Sequence, residues 1–156
     1  MIKNEISLLK KDIGIVNADD EPQIVDLLSV AMEFNGYKKP YSAYNGTEAY
    51  DLIKKLGAKI NILIIDDMMP GPRGIEVYEA LVYHRKFPLA VIMHNGEIVP
   101  DHFSRFWKNR SKFVKPVDFI EVPIPLKRLA KMIETAHRLL LDNVLQTSRP
   151  NAYSVF

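Results

Sequence analysis

INILIIDDMMPGPRG, residues 60–74, decides how the rest of the chain is read. An apolar run from Ile60 to Ile65, broken only by Asn61, stops on two carboxylates, Asp66 and Asp67. A Pro/Gly-rich turn follows, then the amphipathic run that begins at Ile75. A short β-branched and leucine-rich run bounded by turn formers predicts a strand buried on both faces. A carboxylate at the carboxyl end of such a strand sits where open α/β sheets place their chemistry. Asp is also a common turn former, so the pair alone does not separate a site from a loop.

The pattern around this stretch repeats its logic. Upstream, residues 13–18 form a first apolar strand that ends on Asp19, Asp20 and Glu21, with Pro22 where a helix can begin. Ile24, Leu27, Leu28, Ala31 and Met32 recur at helical spacing up to the stop Asn35-Gly36. A weak strand at residues 40–44 and a helix started by Asn45-Gly46-Thr47 complete the first half. Downstream come a third helix from Ile75, a strand at residues 89–93 and a short helix marked by Phe103, Phe106 and Trp107. Those aromatics are read as core packing. Residues 111–117 read as a basic loop and residues 118–122 as the last strand, followed by Pro123, Pro125 and a long helix to about Leu145.

Strands and helices alternate five times. That predicts an α/β fold, a doubly wound five-stranded parallel sheet in the flavodoxin-like order 2-1-3-4-5 with helices on both faces. The expected organisation is an N-terminal arm over residues 1–11, one domain over residues 12–145 and a loose tail over residues 146–156. No output domain is expected after the last helix.

Composition narrows the function. The 156 residues are 47% hydrophobic and 26% charged, ordinary for one soluble domain, and the net charge of +2 gives no argument for nucleic acid. No cysteine is present, which excludes thiolate nucleophiles and Cys-based metal sites. No run approaches a membrane span and the start lacks a signal-peptide core, so a cytoplasmic location with no membrane contact is expected. His84, His94, His102 and His137 have no metal-ligand spacing.

In the predicted strand order the first and third strands are neighbours, so three or four of the carboxylates Asp19, Asp20, Asp66 and Asp67 converge. Like charges that close raise one another's pKa, and a hard divalent cation relieves them. An incomplete oxygen cage of this sort suits Mg2+. A metal beside a free carboxylate could hold a phosphoryl group in line with it. A flavin carrier would need a phosphate cradle where Asp19-Asp20-Glu21 stands, and a phosphatase of the Asp-x-Asp type would need an Asp where Met68 stands.

These motifs together resemble the receiver domains of two-component response regulators (CheY-like superfamily), over roughly residues 13–141. VNADDEP (16–22) is similar to the family's acidic-pair segment. DDMMP (66–70) is similar to its phosphorylation segment, with proline four and Gly74 eight places after the acceptor. The resemblance implies Asp66 as phospho-acceptor and a Mg2+ site made by Asp19, Asp20, Asp66 and the backbone carbonyl of Met68. Asp67 stands where the family has an apolar or neutral residue and receives no role. The family's Thr or Ser after the fourth strand is replaced here, with Asn95 the best-aligned substitute and His94 the next.

The family's Lys before a proline is also displaced. Lys115-Pro116 has the dipeptide, but Pro123 and Pro125 would break a helix placed after it. The run from Asp118 to Leu126 fits the strand–proline–helix pattern and puts Val122 at the lysine position and Phe119 at that of the switch aromatic. Losing a charge-assisted bond to the phosphoryl group would cost about 1.5–3 kcal/mol, and Lys115 is the remaining candidate to replace it. Asn17, polar inside a buried strand, needs partners the sequence does not name.

The implied function is a stand-alone receiver, phosphorylated by a sensor histidine kinase or phosphotransfer protein docked near the first helix. Its own chemistry is limited to self-phosphorylation from phosphodonors and autodephosphorylation. Its output would be a protein partner, or a second copy, on the face of helix 4, strand 5 and helix 5. The alternative is a degenerate receiver that works as a phosphorylation-independent interaction module.

Overall fold

The computed structural model describes residues 10–148. After a helical turn at residues 10–12, the elements are β1 (Ile15–Ala18), α1 (Pro22–Phe34), β2 (Tyr41–Ala43), α2 (Gly46–Leu56) and β3 (Ile62–Asp66). There follow α3 (Gly74–His84), β4 (Leu89–Asn95), α4 (Pro100–Trp107), β5 (Val114–Glu121) and α5 (Leu126–Ser148). All strand pairs are parallel, in the order β2-β1-β3-β4-β5. The expected sheet is therefore the observed one.

Parallel strands covered on both faces must bury both sets of side chains. Val16, Leu63, Ile65, Val91 and Met93 face α2, α3 and α4, where Ile53, Tyr78 and Phe106 meet them. Ile15, Ile62, Ile64 and Ile92 face α1 and α5, where Leu28, Met32, Leu129 and Ile133 meet them. The period of two along each strand divides the residues between the faces. It also fixes which side the residues at the strand ends occupy.

Local chemistry sets the boundaries. Pro22 opens α1 and Asn45 caps α2 by accepting from the Glu48 N–H at 2.8 Å, while Glu48 accepts from the Tyr44 N–H. Gly74, which starts α3, has no room for a side chain. A Cβ there would lie 2.5 Å from the Asp66 carbonyl oxygen and 2.8 Å from Asp67 Cα. That close approach fits the turn after β3 tightly under the sheet end.

Three expectations change. β4 runs two residues further than expected, so His94 and Asn95 are buried strand residues. β5 begins at Val114, not at Asp118, with a register irregularity opposite Val91 and Ile92 that accommodates Pro116. Lys115 and its neighbours are therefore strand, not loop. Of the three aromatics on α4 only Phe106 is core; Phe103 and Trp107 are 40% and 37% exposed. The last helix continues to Ser148. Residues 1–9 of the expected arm and residues 149–156 of the expected tail lie outside the described residues.

Candidate functional site

Asp66 is the last residue of β3, and Asp19 and Asp20 follow β1, the strand beside it. Each of the three can offer an oxygen within 4.8 Å of the other two, the one such cluster among the described residues. Asp19 is buried, Asp66 half-buried and Asp20 exposed. Burial pushes the Asp66 carboxyl up to about 7; the Met68 N–H, 3.1 Å from Oδ1, pulls it down, and the charges of Asp19, Asp20 and Asp67 push it up further. Asp19 rises to about 6, again chiefly by burial, against the Glu21 N–H that donates to it. A set of carboxylates held together against desolvation and repulsion fits a divalent cation with oxygen preference.

Asp67 points to the other side of the sheet end and is fully buried. Its Oδ1 accepts from the Ile75 N–H at 3.0 Å, so it caps the first turn of α3, where a carboxylate also meets the helix dipole favourably. Its Oδ2 lies 2.5 Å from Nδ1 of His102 on α4 and 3.5 Å from the Asn95 side-chain amide. Sequence reasoning gave Asp67 no role and did not pair it with His102, 35 residues away. The only signal was a carboxylate in place of an apolar residue.

His94 lies in register with Asp66, one strand over, and is 1% exposed. Its Nε2 is 3.9 Å from Asp19 Oδ2, and burial pulls its pKa down to about 4. The imidazole is therefore neutral. Asn17 finds its partner on α1, donating to the Ser29 hydroxyl at 3.2 Å.

Lys115 does not reach this site, which corrects the expectation placed on it. It pairs with Ala90, and Ala90 with Ile62, the first residue of β3. Four residues of strand, about 13 Å at 3.3 Å each, separate that level from Asp66. Its Nζ donates instead to the Ser111 carbonyl at 2.6 Å. Val122, just past β5, stands at the carboxyl end, where its N–H donates to the Asn95 carbonyl at 2.9 Å. Phe119 is buried against Phe103 and Phe106, at ring-centroid distances of 5.7 and 5.5 Å.

The response regulator receiver domain family model matches residues 15–134. The chain belongs to that family. A receiver is not a classical enzyme; its chemistry is its own phosphorylation and dephosphorylation. Among curated proteins, response regulator GtcR of Aneurinibacillus migulanus is 33% identical over 78 residues, 50% of this chain and 31% of that protein. The chain thus matches about a third of that relative's length. A response regulator receiver domain from Clostridium thermocellum has the same fold, with TM-score 0.69 and 20% identity over 86% of this chain and 98% of that one. So does a chain of the crystal structure of the CheX–CheY–BeF3–Mg2+ complex from Borrelia burgdorferi, with TM-score 0.68 and 18% identity over 79% of this chain and 87% of that one. No helix among the described residues of this receiver is long and apolar enough to cross a membrane.

Proposed function

We propose that this receiver is a Mg2+-dependent phospho-acceptor switch in which Asp66 takes the phosphoryl group. The observation that carries the reading is the three-carboxylate cluster at the joined ends of β1 and β3. Asp66 is the member at the strand end, with an oxygen oriented by the Met68 N–H. A carboxylate oxygen of Asp66 attacks phosphorus, an acyl phosphate bond forms, and the bond to the donor's histidine nitrogen breaks. Asp20, Asp66 and the Met68 carbonyl would hold Mg2+ directly, with Asp19 acting largely through water. When bound, the ion neutralises charge on the phosphoryl oxygens. Asn95 and His94 remain the candidates for contact with the phosphoryl group.

The donor would be a sensor histidine kinase or phosphotransfer protein. The support for its docking near α1 is an apolar groove of about 450 Å3 lined by Leu27, Val30, Phe34, Leu126 and Ala130. Phe34 is 90% exposed there. The output would be a protein partner or a second copy on the α4–β5–α5 face, where Phe103 and Trp107 are half exposed.

A second reading, a degenerate receiver that binds partners without phosphate, draws support from Val122 at the sheet end and from the Asn95 amide lying against Asp67. Intact mass after incubation with Mg2+ and a small phosphodonor separates the two. A single phosphoryl adduct, lost in Asp66→Asn or on chelation, supports the switch. Mg2+ binding with no adduct supports the interaction module.

A further inference from the structure

Asp67, Asn95 and His102 form a buried polar cluster at the end of the sheet, and of the three only Asn95 is also a candidate for contact with the phosphoryl group. Their exposures are 0%, 4% and 7%. Nδ1 of His102, when it carries the ring's proton, donates to Asp67 Oδ2. Oδ1 is committed to the backbone of α3. Oδ2 is therefore shared between the His102 ring, at 2.5 Å, and the Asn95 amide, at 3.5 Å. The Asn95 backbone is fixed at its carbonyl by the Val122 N–H, so its side chain is the part free to change partner.

We propose that Asp67 is a positioning residue that competes with the phosphorylated Asp66 for the Asn95 amide, and that His102 carries the outcome into α4. This rests on the reading of Asp66 as phospho-acceptor. Asp66 and Asp67 are consecutive, and the Asp67 N–H continues the ladder by donating to the His94 carbonyl at 2.8 Å. The two carboxylates thus flank the end of β4 from opposite sides of the sheet. Phosphoryl oxygens on Asp66 would draw the amide over the sheet end. Asp67 would then keep His102 as its only side-chain donor, and the seat of α4 would tighten. Linkage makes the effect reciprocal: whatever strengthens the hold of Asp67 on Asn95 weakens the phosphoryl state.

The test uses the full chain with beryllium fluoride and Mg2+ as the phosphoryl mimic, followed by fluorine NMR for binding and by the ring resonances of His102. In the wild type, His102 should shift as the mimic saturates. Asp67→Asn turns an amide donor toward Asn95 and releases it, so the mimic should bind on the order of fivefold tighter. His102→Ala leaves Oδ2 to Asn95 alone, so binding should weaken by a similar factor. A general loss of structure would move both variants the same way. A simple charge effect of Asp67→Asn would persist in an Asn95→Ala background, whereas the coupling would vanish there. If Asp67→Asn does not fold, His102→Ala decides: it must bind the mimic more weakly than the wild type, and equal or tighter binding overturns the proposal. An unmoved His102 in the saturated wild type, or equal signs for the two variants, overturns the proposal alone. No saturable binding by the wild type overturns the phospho-acceptor reading and this proposal with it.

Discussion

The Val122 N–H donates to the Asn95 carbonyl at 2.9 Å, one step beyond the last residue of β5. This bond extends the ladder at the end of the sheet where Asp66 lies, with an aliphatic side chain at the extended position. A cation introduced there should meet the negative charge that phosphorylation adds. Val122→Lys is expected to lengthen the life of the Asp66 adduct at least tenfold, the lower end of the about 1.5–3 kcal/mol of a charge-assisted hydrogen bond. Decay of the adduct mass with time measures it. An unchanged decay would mean that an ammonium at residue 122 does not reach the phosphoryl oxygens.

Metal binding should depend on pH in a definite direction. Asp66 and Asp19 have folded-state pKa values raised to about 7 and 6, so without metal the folded protein holds more protons than the unfolded chain between about pH 4 and 7. These two groups therefore lower stability as pH rises through that window. Mg2+ displaces the protons and removes the penalty. The increment in Tm on adding Mg2+ should be small at pH 5 and large at pH 8, with proton release on binding near pH 6. Equal increments at both pH values would show that these carboxylates do not hold the ion.

The buried strands were legible in the sequence because an apolar run between turn formers has few other uses. The convergence of Asp19, Asp20 and Asp66 followed from strand order alone. The start of β5 was not legible, because Lys115 and Pro116 suit a loop better than a strand, and only the irregularity opposite Val91 and Ile92 reconciles them with the ladder. His94 and Asn95 looked like the start of a turn before Gly96, yet both are buried. The pairing of Asp67 with His102 depends on how α4 packs on the end of β3. No local period encodes that relation.

His94 should govern part of the acid limb of stability. Burial holds its pKa near 4 in the folded protein, below its ordinary value of about 6.5. Between those values the unfolded chain binds the extra proton, so the contribution of His94 is full above about pH 6.5 and is lost as pH falls toward 4. His94→Leu, of similar volume, is expected to lose less stability between pH 7 and 4.5 than the wild type does. Urea unfolding at the two pH values measures the difference. Parallel losses would mean that the His94 ring gains a proton in the folded state as readily as in the unfolded chain.

Arg85, far from the carboxylates, should matter to stability more than any exposed charge. Its guanidinium donates to the carbonyls of Ile60, Gly57, Phe87 and Pro88, and so ties the turn after α3 to the segment that leads into β3. Burial lowers its pKa only to about 10, so it remains a cation at neutral pH. The planar fork of five donors suits several carbonyls at once, which an ammonium cannot match. Arg85→Ala removes the charged donor from the buried Ile60 carbonyl and from three part-buried ones, and is expected to cost about 2–4 kcal/mol. Arg85→Lys should recover only part of that. Chemical denaturation of the three proteins in the absence of metal tests both statements. If Arg85→Lys matches the wild type, one point charge suffices and the fork geometry contributes nothing.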